Sequence, residues 1–209
     1  MDKYDDKDTY LIVGCGGTGK ELCTWMKQES GSDTTIGFLD DVVQDSLVYG
    51  SVSELPRFLN AKVYLCIGSA RNMKVRKEIG AKINKGQAQS FLSSKALIGE
   101  VTLGVGNLIL SGSILSRDVY LGDFVLVYHS SIVYHDASVG NYSIVSNGAV
   151  LSGGVSVGEN SYVGANATVL EGVQVGSNCI VAAGATVISN VPDGMIYISP
   201  GKIKKNHYL

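Results

Sequence analysis

From Phe91 to Pro192 the chain repeats every six residues. Stepped by six from Phe91 it reads FLSSKA, LIGEVT, LGVGNL, ILSGSI and onward to VAAGAT and VISNVP, 17 hexads without an insertion. The first position is Phe once and otherwise Leu, Ile or Val. The fifth is mostly small or β-branched, as at Ser113, Val119, Ser131, Ala149 and Cys179. A sustained six-residue period is the signature of a parallel β-helix. Three hexads close one triangular coil, with first and fifth positions facing the prism interior. Residues 18 apart then stack, which sets His129 under Asn147, Ala165 and Ala183, and His135 beside Arg117, Gly153 and Glu171.

This architecture explains the composition. Glycine is 26 of 209 residues while proline is 3, against a usual glycine share of about 7%. Glycines recur at second positions (Gly104, Gly122, Gly140, Gly158, Gly164, Gly176), and Gly or Asn is common at the fourth. Such bends need positive φ or close backbone approach. Five to six coils bury little alone. The apolar outer residues Leu108, Ile114, Phe124, Ile132 and Ile144 suggest association, a closed cyclic trimer being the simplest form.

The first ninety residues follow another pattern. Tyr10–Val13 reads as a strand, Gly14-Cys15-Gly16-Gly17-Thr18-Gly19 as a glycine turn, and Lys20–Gln28 as a helix. Strand, glycine turn and helix together bring backbone N–H groups to an anion at the helix N-terminus. Thr35–Leu39 reads as a second strand ending at Asp40-Asp41, about 20 residues past the last glycine, where a ribose-binding carboxylate is expected. Leu55–Leu59 fits a short helix, Ala61–Ile67 a third strand ending at Gly68-Ser69, and Asn72–Ile83 a third helix. The fold class is thus α/β plus all-β: a small Rossmann-like βαβαβα domain over 1–87, a β-helix over 88–194 and a tail over 195–209. A glycine turn that only packs helix on sheet is the alternative to a nucleotide site.

Net charge of −2 gives no general attraction to nucleic acid or an anionic membrane. No apolar run approaches the roughly 20 residues of a membrane span. Met1–Asp8 is polar and acidic, unlike a signal peptide. Cys15, Cys23, Cys66 and Cys179 lack disulfide or metal spacing and read as reduced core thiols of a cytoplasmic protein. His129 and His135 are third members of successive hexads and sit at corners, where side chains point outward. Either can serve as a polar corner residue. Asp136 beside His135, and Gly153 and Gly154 above it, favour a catalytic role for His135.

At these residues the chain resembles the bacterial sugar O-acyltransferases of the sialic acid O-acetyltransferase type. Its resemblance is nearest to their relatives that N-acetylate nucleotide-linked 4-amino-4,6-dideoxy sugars. The match runs through Gly14–Lys20, Gly37–Asp41, Ile67-Gly68, Ile132–Asp136, Gly140–Tyr142, Gly148–Gly153 and Ile188–Gly194. The resemblance implies a left-handed helix, a general base at His135 and an orienting acid at Asp136. It implies acetyl-CoA along a groove at Gly153, Ala165, Ala183 and Asn147. It implies a nucleotide-linked amino-sugar at Gly14, Gly16, Gly17, Asp40, Asp41, Gly68 and Ser69, a homotrimer, no metal, and a place in surface-polysaccharide biosynthesis. The family often has a second histidine where this chain has Ile144, so help there falls to Asn147 or His129. It often has histidine in the glycine turn where this chain has Thr18. Ser199-Pro200-Gly201-Lys202 replaces the usual Gly-x-Pro-Ala-Lys ending, leaving a CoA-phosphate role open for Lys202, Lys204 or Lys205.

Three other readings stand beside it. Sugar O-acetylation uses the same residues. A β-helical zinc enzyme needs three or four ligands, and only His129 and His135 come near one another. A nucleotide-sugar-binding scaffold would bind no acetyl-CoA.

Overall fold

The computed structural model describes residues 9–30, 35–199 and 202–207; Met1–Asp8, Pro200 and Gly201 lie outside them. Four strands, β1 (Thr9–Val13), β2 (Thr35–Leu39), β3 (Val48–Gly50) and β4 (Lys62–Leu65), form a parallel sheet in the order β3-β2-β1-β4. β1 is central and covered on both faces, so Leu11, Ile12 and Val13 are fully buried, as a continuous apolar run in a parallel sheet requires. Helix α1 (Gly17–Ser30) follows the glycine turn, and α2 (Met73–Gly80) follows β4.

Three expectations change here. The short helix expected at Leu55–Leu59 is a 3-10 turn, Val52–Arg57, containing Pro56. The third helix is shorter than Asn72–Ile83, with a 3-10 turn at Ala70–Asn72 leading into α2. β3 was not foreseen, because three half-buried residues carry no readable period.

The second part is a parallel solenoid of about six turns with three ladders of five, eight and six strands. Rungs pair at 18 residues: Val101 with Val119, Tyr120 with Ser138, Leu126 with Ile144, Ile132 with Val150, Thr168 with Thr186. First-position side chains from Ile109 to Val187 form one continuous core. Fifth-position serines inside that core bond to bend carbonyls of the same or the next coil: Ser113 Oγ donates to Leu110 O at 2.6 Å and Ser143 Oγ to Gly158 O at 2.7 Å. A buried hydroxyl without such a partner would be costly.

The bends divide the glycine work in two. The fourth residue of every hexad from Gly106 to Gly184 has positive φ, whether Gly, Asn, Asp118, Phe124, Ser130, Asp136 or Tyr142. Second-position glycines lack positive φ and serve close approach instead. A Cβ on Gly140 would meet Gly158 C at 2.8 Å, and one on Gly158 would meet Gly176 C at 2.6 Å.

The repeat is not unbroken. Phe91 pairs with Leu108 and Leu97 with Ile114, a 17-residue register. Leu92 and Ile98, one residue later than expected, align with the inward column, and the chain is one residue short before Val101. At the other end Val175 pairs with Val191 and Ile180 with Ile196, a 16-residue register. Beyond it Met195–Ser199 and Lys202–Lys205 form an antiparallel pair that supplies the last two strands of the eight-stranded ladder. Its outer strand is exposed and lysine-rich, which discourages edge pairing.

Sheet and solenoid share their cores. Leu108, Leu126 and Ile144 pack with Ile12, Phe38, Leu22 and Met26. Phe124 packs with Leu11, Val13 and Leu65. Leu108, Phe124 and Ile144, read from sequence as association faces, are therefore covered by the chain's own sheet. Ile114 and Ile132 lie on a ladder outside these clusters, where Leu97, Tyr134, Leu170 and Ile188 are exposed.

Arg76 of α2 fastens the two parts. It is fully buried and donates to Leu65 O (3.2 Å), Ile67 O (2.9 Å), Phe124 O (2.6 Å) and Tyr142 O (3.2 Å). Burial lowers its pKa to about 10, so it remains a cation at neutral pH. Four carbonyl dipoles replace the water it gave up. Arg76→Met should lower the unfolding free energy by about 3 kcal/mol, because carbonyls lose a charged donor in a dry place; chemical denaturation with circular dichroism reads this directly.

Candidate active site

A cleft of about 570 Å³ opens at the carboxyl ends of β1, β2 and β4. Its lining contains all seven residues that the sequence singled out there: Gly14, Gly16, Gly17, Asp40, Asp41, Gly68 and Ser69. Gly14 has φ 106°, open only to glycine in practice. A Cβ on Gly16 or Gly17 would touch nothing, so these two keep the mouth open. The first α1 hydrogen bond runs from Lys20 N–H to Gly16 O at 3.0 Å. The preceding N–H groups of the turn are the kind that bind anions.

The two acids differ. Asp40 accepts from Cys15 N–H at 2.7 Å and from Val42 and Val43 N–H at 2.8 Å each. Burial alone would raise its pKa, but the N–H groups of Val43, Val42 and Cys15 outweigh it and hold the carboxyl below its usual value. Asp40 thus organises the turn. Asp41 accepts from Val52 N–H at 2.8 Å through Oδ1 and is exposed. The cleft also takes Thr18 of the glycine turn and, where the sequence reading placed nothing, Val52, Asn72, Val75 and Ile79. Only the packing of α2 and the 3-10 turn brings the last four in. Cys66 lines the cleft too, but burial pushes its thiol up to about 12, so it stays protonated and a poor nucleophile.

His135 and Asp136 stand on a prism corner. His135 Nδ1 lies 2.7 Å from Asp136 Oδ2, with both side chains about half exposed. Asp136 occupies the positive-φ bend position, with φ 58°, a region Asp tolerates better than most residues. Among the described residues nothing engages Nε2. Gly154 N–H donates to His135 O at 2.9 Å and Gly172 N–H to Gly153 O at 3.0 Å, so the expected column stands as drawn. A Cβ on Gly153 would sit 2.7 Å from His135 Cε1 and 2.9 Å from Nε2. The imidazole therefore lies close against Gly153, in space that a Cβ would fill.

The neighbouring corner holds His129, Asn147, Ala165 and Ala183, tied by Gly148 N–H to His129 O, Asn166 N–H to Asn147 O and Gly184 N–H to Ala165 O. Gly153 is therefore on one edge of the ladder containing Ile132 and Val150, and the other three on the opposite edge. Asn147 and Ala183 are exposed. His129 faces α1: its Nε2 lies 3.1 Å from Glu21 Oε1 and its ring 6.2 Å from that of Trp25. Ile144, the position of the family's second histidine, is fully buried under the N-terminal sheet. The cleft lining includes neither His135 nor Asp136. All four cysteines are buried and free. Among the described residues no helix is long and apolar enough to cross a membrane, and no group of three or more His, Cys, Asp or Glu could hold a metal.

A family model described as "Bacterial transferase hexapeptide (six repeats)" matches residues 154–189. Two solved structures agree over nearly the whole chain. The acetyltransferase domain of PglB from Neisseria gonorrhoeae is 25% identical, with TM-score 0.83, covering 95% of this chain and 99% of that one. PerB from Caulobacter crescentus, solved with CoA and GDP-perosamine, is 26% identical, with TM-score 0.81, covering 94% and 96%. The chain is similar to hexapeptide-repeat acyltransferases. WeeI from Acinetobacter baumannii, 19% identical with TM-score 0.65, shares the fold. No curated protein matches the chain.

Two outcomes follow from this geometry. Gly153→Ala should tilt the His135 ring and lower kcat while leaving the melting temperature within a few degrees. Asp40→Asn should flatten the acid limb of stability against pH. A carboxylate with a lowered pKa stabilises the fold at neutral pH, and loses that effect as pH falls through the lowered value. Thermal melts across pH 3 to 7 measure it.

Proposed function

We propose that this acyltransferase moves an acetyl group from acetyl-CoA directly to the 4-amine of a nucleotide-linked 4-amino-4,6-dideoxy sugar, in cytoplasmic steps of surface-glycan biosynthesis. The single observation that carries it is the His135–Asp136 pair at 2.7 Å with Nε2 unengaged. The neighbour solved with CoA and GDP-perosamine supports the substrate class.

His135 Nε2 takes the proton from the amine as the amine's lone pair attacks the thioester carbonyl; the C–S bond then breaks, and the imidazolium gives that proton to the departing CoA thiolate. Asp136 holds the Nδ1–H tautomer and steadies the imidazolium. Backbone N–H groups near Gly153 stabilise the developing oxyanion. Direct transfer agrees with the absence of an activated thiol in the cleft, since Cys66 is held protonated. Small residues at Gly153, Ala165 and Ala183 leave room for a long thin cofactor along the ladder between the two corners. The uncovered face with Leu97, Ile114, Tyr134, Leu170 and Ile188 suits a second copy in a trimer of left-handed β-helices. That copy would bring its own Rossmann-like cleft toward His135.

His135→Ala should lower kcat by about 100- to 10,000-fold, with acetyl-CoA binding retained in calorimetry. Full turnover by this variant would refute the base assignment. Mass spectrometry of products from 4-amino and 4-hydroxy sugar nucleotides separates N- from O-acetylation, and lack of any acetyl-CoA binding by the wild type would favour a scaffold.

A further inference from the structure

Helix α1 presents Thr18, Glu21, Trp25 and Glu29 along one side, and the solenoid grips that side along its length. Ser94 Oγ donates to Glu29 at 3.1 Å, Lys95 Nζ lies 5.3 Å from the centre of the Trp25 ring, and His129 meets Glu21. The innermost contact is at the cleft. Thr18 Oγ1 lies 2.6 Å from the hydroxyl of Tyr128, which also donates to Gly68 O at 3.4 Å. Thr18 and Gly68 both line the cleft, whereas Tyr128 lies behind them.

We propose that Tyr128 is a positioning residue for the nucleotide diphosphate, acting through Thr18 and Gly68; this rests on the nucleotide-sugar reading above. Three observations converge. First, the Tyr128 ring cannot drift. It is 8% exposed and wedged in the cluster of Leu110, Leu126 and Ile144. Second, Gly68 has been shaped around it, since a Cβ there would overlap the Tyr128 hydroxyl and meet Thr18 Oγ1 at 2.8 Å. Third, Thr18 stands in the first turn of α1, among the N–H groups that precede the helix's own first hydrogen bond.

One phenol therefore fixes both walls of the cleft, the glycine turn after β1 and the Gly68 turn after β4. Fixed walls keep the N–H groups of the α1 first turn aimed at one point. An anion bound there is spared the cost of ordering a loose turn. Because burial raises the Tyr128 pKa, the hydroxyl remains a donor at neutral pH. Tyr128 also precedes His129, whose ring meets α1 at Glu21, so two consecutive residues of one hexad hold the helix start. The next hexad carries His135. Diphosphate site and base corner are thus mounted on successive hexads of one coil.

The test uses the full chain and its Tyr128→Phe, Thr18→Val and Thr18→Ser variants, with UDP, GDP and dTDP as probes in titration calorimetry and CoA as the control. Tyr128→Phe and Thr18→Val should each weaken the best-bound nucleotide about tenfold. The double variant should lose less than the sum of the two single losses, because both remove the Thr18–Tyr128 bond. Thr18→Ser should restore binding, and CoA affinity should stay within twofold throughout. In turnover assays KM for the sugar nucleotide should rise while kcat holds. Nucleotide binding by Tyr128→Phe within twofold of wild type overturns the proposal, as does an equal loss of CoA affinity. Wild-type chain that binds none of the three nucleotides refutes the nucleotide-sugar reading itself.

Discussion

Coil closure after 18 residues is the constraint on which the rest of the molecule depends. Parallel rungs can pair only if each coil returns to the same register. That requirement forces a left-handed backbone step at one fixed place in each hexad from Gly106 to Gly184. It also carries His135 to a height where Gly153 lies over its ring. Removing one residue shifts every later side chain by a position, and an inward aliphatic becomes an outward one. The chain tolerates such slips only at its two ends, before Val101 and after Val187, where fewer rungs must agree.

The second organising feature is the way a narrow prism acquires a wide core. A triangular coil offers little interior, and the fully buried first-position side chains fill it. Further burial comes from one outer ladder, which lies against the N-terminal sheet through Leu108, Leu126 and Ile144. Arg76 crosses that contact and satisfies carbonyls from both sides. A guanidinium suits this task because its planar donors fan out to several acceptors at once. The geometry of the cleft wall at Ile67 is thereby linked to the coils at Phe124 and Tyr142.

Much of this was legible in the residues. Strands at Thr35–Leu39 and around Tyr10–Val13, the glycine turn, and the cleft group from Gly14 to Ser69 all follow from local pattern. So does the stacking of His135 with Gly153. Other features were illegible for identifiable reasons. Ile144 looked like an outward apolar residue, because periodicity tells inside from outside of the prism but not covered faces from bare ones. Asp40 and Asp41 stand side by side in the sequence, yet three backbone donors hold Asp40 while Asp41 stays exposed. Asp136 and Gly153 already set His135 apart from His129 in the sequence, but nothing there showed that α1 covers the His129 corner and leaves the other open.

The amino-acid sequence by itself determined the repeat, the inward column, the stacked neighbours of each corner and the strand-turn-helix of the cleft. Those are consequences of spacing along the chain, and spacing is set by covalent geometry. Only the tertiary structure decided which face is buried, that Arg76 joins the two parts, and that Tyr128 reaches Thr18 across 110 positions. Contacts between distant segments have no period, so nothing in the local pattern announces them. They depend on how two separately patterned surfaces fit when brought together.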